Sequence, residues 1–212
     1  MTDLVPCLIG RSSSHFTRVV RLLAVEFGVA CQFQPVYDLG SRDRRDYGGN
    51  PAMKLPVLRL GDESVFGTEN IARALADRAK RPVRMVWTEH LPDLVARNAQ
   101  ELVWHAMAAQ VQLVFGTQAA GLPADNLYFA KAAEGMAQVL DWLDAHVERV
   151  LASLPPRDLS LFEVTLFCLL EHLAFRPTVP LLPYASLTAY TERFGQRASA
   201  RNTVYHFDRP PA

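Results

Sequence analysis

The chain has 212 residues, half of them hydrophobic, and its 22 lysines and arginines balance its 22 aspartates and glutamates. This length fits one large domain or two small ones, with enough apolar residues for a sizeable core. The balanced charge argues against the strongly basic surface that binds nucleic acid or an anionic membrane, so we expect neither partner.

Targeting signals and membrane spans are not expected from the sequence. Asp3 and Pro6 interrupt the basic and then apolar run that a secretory signal requires. The longest stretch without a formal charge, between Glu101 and Asp125, contains histidine, glutamine, glycine and proline, which makes it a poor membrane span. We therefore expect a cytoplasmic protein.

Cysteine and histidine usage gives no indication of disulfides or metals. Three cysteines lie inside apolar stretches: Cys7, Cys31 and Cys168. They cannot make a full disulfide set, and we expect them to be reduced, buried and inert, as in a cytosolic protein. The histidines share no close pair at ligand spacing, so no metal is expected.

The first 80 residues predict a mixture of strands and helices. Residues 4–9 predict an apolar strand, and the apolar spacing over 16–27 predicts a helix that Gly28 ends. Residues 31–34 alternate in polarity and predict a second strand. A strand-turn-strand pair and a helix beginning at Thr68 follow. This order, strand-helix-strand and then strand-strand-helix, is typical of a thioredoxin-like α/β arrangement.

The sequence becomes purely helical in periodicity after Arg81-Pro82 breaks the mixed pattern. Helices are predicted over about 90–116, from Asp125 to Pro155-Pro156, after the capping box Ser160-Leu161-Phe162-Glu163, and over about 184–199. We therefore predict a thioredoxin-like α/β domain over residues 1–80, followed by an all-α domain over residues 90–212. No strand is expected beyond residue 90.

The most informative segment begins at Asn50-Pro51 and continues through Lys54-Leu55-Pro56-Val57-Leu58. A proline at the head of a strand has no amide to donate, and a cis bond before it is within reach for proline alone. We predict that Pro56 is cis and that Leu55 presents its N–H and C=O to an extended peptide, as an added strand would. Glu69 and the N–H groups at the start of its helix could hold the charged end of that peptide.

This pattern resembles the glutathione-binding half of the glutathione transferase family. The family pattern is asparagine-proline, a spacer, lysine-valine-proline-valine-leucine, and later glutamate-serine before a helix. The alternative is an ordinary strand-turn-strand-helix unit. The resemblance implies glutathione as co-substrate without a metal, an all-helical C-terminal domain, a homodimer, and attack of the glutathione thiolate on a small electrophile. We expect a glutathione transferase, or an enzyme of a related glutathione-dependent reaction.

The resemblance also implies site residues. Ser14-His15-Phe16-Thr17-Arg18-Val19-Val20-Arg21 is similar to a bacterial serine-type pattern, which implies Ser14 as the catalytic serine. The glutathione-binding residues it implies are Phe16, Lys54, Leu55, Pro56, Glu69 and Asn70. Ser14 is also a good helix N-cap, which is its alternative role. Ser12 and Ser13 are expected to bond to the loop backbone.

Three residues depart from the family pattern. His15 replaces a proline, Met53 stands where glycine commonly precedes the lysine, and Asn70 replaces a serine. They motivate a second hypothesis, a non-catalytic glutathione-transferase-like binding or scaffold protein. On the acceptor side, Trp104 and His105 are candidates for the electrophile pocket, and a core or dimer contact is the alternative.

Overall fold

A computed structural model describes residues 5–210, which fold as two compact units. The first unit runs up to Val83 and includes the segment from Arg197 onward, and the second spans Arg84–Gln196. The predicted domain boundaries placed that last segment in the second domain. It packs with the first unit instead, because its backbone and side chains bond to the first helix of the chain.

The first unit is built on a four-stranded sheet of order β2-β1-β3-β4. Strand β1 (Cys7–Gly10) pairs in parallel with β2 (Gln32–Pro35) and antiparallel with β3 (Val57–Leu60), which pairs antiparallel with β4 (Glu63–Phe66). A parallel crossover followed by an antiparallel hairpin is the predicted thioredoxin-like arrangement, which is confirmed. The predicted first strand included Leu4, which lies outside the described residues.

Two helices complete this unit where the sequence predicted them. Helix α1 (His15–Phe27) buries its apolar face and ends at Gly28, whose φ of 67° is the left-handed conformation that glycine adopts without strain. Helix α2 (Thr68–Ala76) also buries its apolar side chains. The polar stretch between β2 and β3 contains a short 3₁₀ turn, Arg44–Tyr47.

The second unit is helical, as predicted. Its helices are α3 (Leu94–Leu113), α4 (Leu127–Ser153), α5 (Leu161–Phe175) and α6 (Ala185–Gly195). A 3₁₀ turn at Thr88–His90 precedes α3, and a π-helical turn at Val114–Ala119 follows it. Helix α5 is buried nearly all round, which is the position its apolar sequence indicated. No helix within residues 5–210 has both the length and the apolar character that a membrane crossing requires.

Two predicted details of the helical half are wrong. A strand does lie beyond residue 90: β6 (Leu159–Ser160) pairs in parallel with β5 (Met85–Val86). Two-residue strands are too short to show an alternating pattern in the sequence. The helix predicted over 184–199 is also interrupted after α6, and the chain resumes as α7 (Ala198–Arg201), which belongs to the first unit.

Candidate functional site

The strand register brings three separate loops to one edge of the four-stranded sheet. Gly10, the last residue of β1, lies opposite Pro35, and Ile9 lies opposite Val57, the first residue of β3. Val57 in turn lies opposite Phe66, the last residue of β4. The loop before α1, the segment before β3 and the start of α2 therefore meet at this edge. These three segments carry Ser14, Leu55 and Glu69, and ligands of open α/β sheets bind at such loop-bearing edges.

Ser14 is the N-cap of α1. Its backbone is extended, with φ −99° and ψ 128°, and its Oγ accepts a hydrogen bond from the N–H of Thr17 at 3.3 Å. A hydroxyl that accepts in this way still has its own hydrogen to donate. The structure thus confirms the capping role, and the role toward sulfur stays a prediction.

The loop before Ser14 is held close to α1. A Cβ added to Gly10 would lie 2.6 Å from Cγ2 of Thr17, so only glycine permits this approach of β1 to the first helical turn. The N–H of Arg11 donates to Oγ1 of Thr17 at 3.4 Å, and the N–H of Ser14 donates to the C=O of Arg11 at 3.1 Å. These contacts fix the path of the chain from the sheet edge into the helix.

Ser12 has a partner that the sequence analysis missed. Its N–H donates to Oδ2 of Asp208 at 2.8 Å, across 196 residues of sequence. We predicted that the side chains of Ser12 and Ser13 bond to the loop backbone, and that remains a prediction, because this contact is made by the backbone amide of Ser12. No local pattern could have indicated Asp208, because a tertiary contact of this separation leaves no periodic trace in sequence. Both serines are buried.

The segment before β3 has the predicted cis bond between Leu55 and Pro56. Asn50 shapes this loop: its Nδ2 donates to the C=O of Lys54 at 2.8 Å, and its Oδ1 accepts from the N–H of Ala52 at 3.0 Å. The side chain of Leu55 packs on a buried apolar cluster below the sheet edge. Within residues 5–210, neither the N–H nor the C=O of Leu55 makes a hydrogen bond.

Three further predicted binding residues lie beside these segments. Phe16 is the second residue of α1, and the centroid of its ring lies 4.7 Å from the centroid of the His15 ring. The side chain of Lys54 is exposed, and Pro56 is buried. Met53, next to Lys54, has a φ of 50°, a left-handed value that explains why glycine is common at this position of the family pattern.

Glu69 and Asn70 lie in the first turn of α2, and each has an internal partner. Oε1 of Glu69 accepts from Nη2 of Arg73 at 2.7 Å. Nδ2 of Asn70 donates to the C=O of Phe66 at 3.2 Å. The N-cap, Gly67, provides no side-chain acceptor for the first N–H groups of the helix. A carboxylate placed at this end would therefore meet unsatisfied donors.

The acceptor-side candidates lie on α3. His105 lines an open groove of about 920 Å³ between α3 and α4, and Trp104 is not one of its lining residues. The groove is mainly apolar. Small or apolar residues line it along both helices: Ala106, Ala108, Ala109, Ala132, Gly135, Met136 and Val139. Its polar lining comes from Gln112, Asn126, Tyr128 and Lys131. The structure thus separates Trp104 from this groove, and the role of both residues stays a prediction.

The cysteines do not offer a nucleophile at this edge. Burial, and then the neighbouring Cys7, raise the pKa of Cys31 to about 11, so its thiolate is scarce at neutral pH. The three thiols are free, but Cys7 and Cys31 are only partly buried, whereas burial was expected of all three. Within residues 5–210 no cluster of three His, Cys, Asp or Glu side chains could hold a metal ion.

The comparisons with known proteins agree with this geometry. Residues 8–82 match the family model described as the glutathione S-transferase N-terminal domain. A glutathione S-transferase from Methylobacillus flagellatus KT, solved with glutathione bound, is 22% identical and superposes with a TM-score of 0.75 over 95% of this chain and 100% of that chain. A glutathione transferase family member from Pseudomonas fluorescens Pf-5, solved with bound glutathione, is 22% identical, with a TM-score of 0.75 over 95% and 99% of the two chains.

A third structure, a glutathione S-transferase from Methylobacterium radiotolerans JCM 2831 in complex with glutathione sulfonate, is 21% identical. It superposes with a TM-score of 0.71 over 98% of each chain. A comparison with curated protein sequences finds no match.

The fold therefore places the chain among proteins with a thioredoxin-like unit followed by a helical one. Its first unit matches the model of the glutathione S-transferase N-terminal domain over residues 8–82, and the structural matches extend the same fold over the rest of the chain. The chain is thus similar to glutathione S-transferases in sequence over residues 8–82 and in fold over both units.

Proposed function

We propose that the protein binds glutathione at the edge of the four-stranded sheet and transfers its thiolate to a small electrophile. The observation that carries this proposal is the register that brings Ser14, Leu55 and Glu69 to one edge. A hydroxyl at a helix N-terminus, an unpaired strand-like backbone and a carboxylate are the three groups that a short anionic thiol peptide needs. The glutathione-bound relatives support glutathione as that peptide.

The chemistry rests on stabilising a thiolate. A free thiol has a pKa near ~8.5 and is mostly protonated at neutral pH. Ser14 donates its free hydroxyl hydrogen to the glutathione sulfur, and the N-terminus of α1 adds partial positive charge. A charge-assisted hydrogen bond is worth about 1.5–3 kcal/mol, which corresponds to roughly one to two pKa units. The bound thiol then becomes largely ionised at neutral pH.

The peptide is held by backbone and charge. The N–H and C=O of Leu55 pair with the cysteinyl unit of glutathione in the manner of an added strand. Glu69 accepts from the α-ammonium group, and Asn70 donates to the γ-glutamyl carboxylate beside the first N–H groups of α2. Phe16, Lys54 and Pro56 border these contacts and complete the proposed glutathione site.

A second candidate function is a glutathione-transferase-like binding or scaffold protein without turnover. The observation that favours it is that the side chains proposed to bind glutathione already have hydrogen-bond partners within the protein. Nδ2 of Asn70 already donates to Phe66, and Glu69 already accepts from Arg73. Glutathione would have to share or displace these partners, which weakens its binding.

The helical unit raises two alternatives for His105 and Trp104. In one, they line the pocket for the electrophile, which the apolar groove beside His105 supports. In the other, they belong to a homodimer contact, which the exposed Leu127 and Tyr128 at the same groove support. A His105→Ala variant separates the two. A raised KM for the electrophile favours the pocket, and a shift from dimer to monomer in light scattering favours the contact.

Retention on immobilised glutathione, followed by an aromatic-halide conjugation assay, tests the proposal. We expect the protein to be retained, to be eluted by free glutathione, and to catalyse conjugation. Ser14→Ala is the matched variant, because it should still be retained while turnover falls. Retention without turnover on a broad panel of electrophiles favours the scaffold, and no retention contradicts both functions.

A further inference from the structure

The C-terminal segment runs along α1 from its end toward its beginning. Near the end of the helix, Nε of Arg197 and Oγ of Ser199 both donate to Oε1 of Glu26, at 2.9 and 2.5 Å. Although burial alone would raise the pKa of Glu26, these two hydrogen bonds bring it below its usual value, so the carboxylate is charged. This contact anchors the segment at the end of α1 that is remote from the proposed site.

Further along, the same segment reaches the first turns of α1. Nη2 of Arg18 donates to the C=O of Ala200 at 3.2 Å, and its guanidinium lies 4.3 Å from the ring centroid of Tyr205. The path ends at Asp208, which accepts from the N–H of Ser12. The three contacts follow α1 in order, so the segment leads directly to the serine loop.

The carboxyl group of Asp208 is largely buried at this position. Its side chain is only 8% exposed, and Nε2 of the exposed His206 lies 3.8 Å from Oδ1. The guanidinium of Arg21 is an electrostatic neighbour: burial lowers the pKa of Arg21, and the carboxylate of Asp208 opposes that shift. A carboxylate that is desolvated in this way is held in place by its partners, and it holds the Ser12 amide in turn.

We propose that Asp208 is a positioning residue for the proposed thiolate-stabilising serine. This role rests on the proposed function, because Ser14 follows Ser12 by two residues in the same short loop. The loop is fixed from within by the bonds of Arg11 to Thr17 and of Ser14 to Arg11. Asp208 fixes it from outside, so that the Ser14 hydroxyl points where the sulfur binds. A misplacement of about 1 Å at a reacting group can lower a rate about a hundredfold.

The test compares three variants by the ultraviolet thiolate titration of bound glutathione, with kcat, KM and melting temperature measured alongside. Asp208→Ala removes the acceptor, and Asp208→Asn keeps an oxygen acceptor without the charge. Ser199→Ala is the matched control, because it loosens the same segment at the other end of α1. We expect Asp208→Ala to raise the thiol pKa by about one unit, which is a tenfold fall in the acid dissociation constant of the bound thiol, and to lower kcat rather than raise KM. Asp208→Asn should restore most of both values, and Ser199→Ala should change only the melting temperature.

The outcomes separate this role from the proposed function. If the wild-type protein binds no glutathione, the proposed function fails and the positioning role fails with it. If the wild-type protein binds glutathione but the thiol pKa is the same in Asp208→Ala as in Ser199→Ala, the proposed function stands and Asp208 is only a structural anchor. If the wild-type protein binds without turnover, the titration alone decides, and an unchanged thiol pKa in Asp208→Ala overturns the role.

Discussion

Arg73 donates through Nη2 to Oε1 of Glu69 at 2.7 Å, one turn further along α2. Both side chains are partly exposed, and an exposed ion pair at this spacing is worth about 0.3–0.5 kcal/mol. The pair therefore orients the Glu69 carboxylate while contributing little to stability. The same carboxylate is the group proposed to accept from the α-ammonium of glutathione, so binding and stability can be measured apart.

Glu69→Ala should raise the dissociation constant of glutathione by tenfold or more, because the loss of a charge-assisted contact costs about 1.5–3 kcal/mol. Arg73→Ala is the control, since it breaks the same internal pair but leaves the ligand's acceptor in place. Titration calorimetry on both variants checks the expectation. We expect both variants to lose a similar small amount of stability. Only Glu69→Ala should have a higher dissociation constant for glutathione. An unchanged constant in Glu69→Ala would mean that the family role does not hold at this residue.

Ser14 combines a capping role with the proposed catalytic one, and two substitutions separate them. Ser14→Ala removes both the cap and the hydroxyl. Ser14→Gly also removes the hydroxyl, but glycine in place of an N-cap serine costs only a few tenths of a kcal/mol of helix stability. Both variants should raise the thiol pKa of bound glutathione by about one to two units. Only Ser14→Ala should also lose about 1 kcal/mol of unfolding free energy. Turnover should fall much more at neutral pH than at pH 9, which the pH dependence of kcat measures.

Ser12→Ala and Ser13→Ala serve as the controls for this assignment. Thiolate absorbance against pH should be unchanged in both, because neither serine is the last residue of the loop. If the thiol pKa of bound glutathione shifts in Ser12→Ala but not in Ser14→Ala, then Ser12 donates the hydroxyl hydrogen bond to sulfur and Ser14 acts only as a helix cap.

The features that the sequence predicted well are those set by local chemistry. Gly28 ends α1 because glycine alone adopts a left-handed cap without strain, and Ser14 begins it because its oxygen satisfies a free N–H group. The order of strands followed from hydrophobic periodicity and a recognisable family motif around Pro56. Each of these signals lies within a few residues of the structure that it predicts.

The features that the sequence did not predict depend on contacts between distant residues. The pairing of Met85–Val86 with Leu159–Ser160 has no periodicity to detect, because each strand has only two residues. The contact of Ser12 with Asp208 joins the two ends of the chain, and its carboxylate looks like any other acidic residue in a polar tail. Both belong to tertiary packing, which a single sequence does not reveal.

Met53 is strained by its left-handed backbone, with φ at 50°, while its side chain is exposed. A left-handed conformation costs an L-residue about 1–2 kcal/mol, and glycine loses about 0.5–1 kcal/mol through its more flexible unfolded chain. Met53→Gly should therefore stabilise the protein by up to about 1 kcal/mol. Met53→Ala keeps the strain, and we expect a change within about 0.5 kcal/mol. Urea denaturation of both variants checks this, and a destabilised glycine variant would contradict the role of strain.

Cys31 should be a slow nucleophile at neutral pH. Burial, and then Cys7, raise its pKa to about 11, so the protonated thiol is favoured in the folded state. A raised folded pKa contributes stability that is fully present below the unfolded value near ~8.5 and is lost as the pH rises through about 11. Iodoacetamide labelling resolved by mass spectrometry should be far slower for native than for unfolded Cys31 at pH 8. The native rate should rise steeply between pH 9 and 11, and a plateau below pH 9 would contradict the raised pKa.

Ser160 should be the most sensitive polar residue of the helical unit. Its Oγ accepts from the N–H of Glu163 at 3.1 Å, which is the N-cap half of the capping box predicted for α5. The Glu163 carboxylate returns to the hydroxyl of Ser160 at 2.7 Å, where a full capping box would bind the Ser160 amide. Arg157 donates to both carboxylate oxygens of Glu163, at 2.7 and 3.0 Å, so Ser160 is part of a partly buried network. Ser160→Ala should cost about 1–2 kcal/mol, because it leaves the Glu163 amide without its acceptor. Ser153→Ala is the control, since Ser153 donates only to the C=O of Val150 within α4. Thermal unfolding should show a drop of several degrees for Ser160→Ala and little change for Ser153→Ala, and equal drops would contradict a special role for the box.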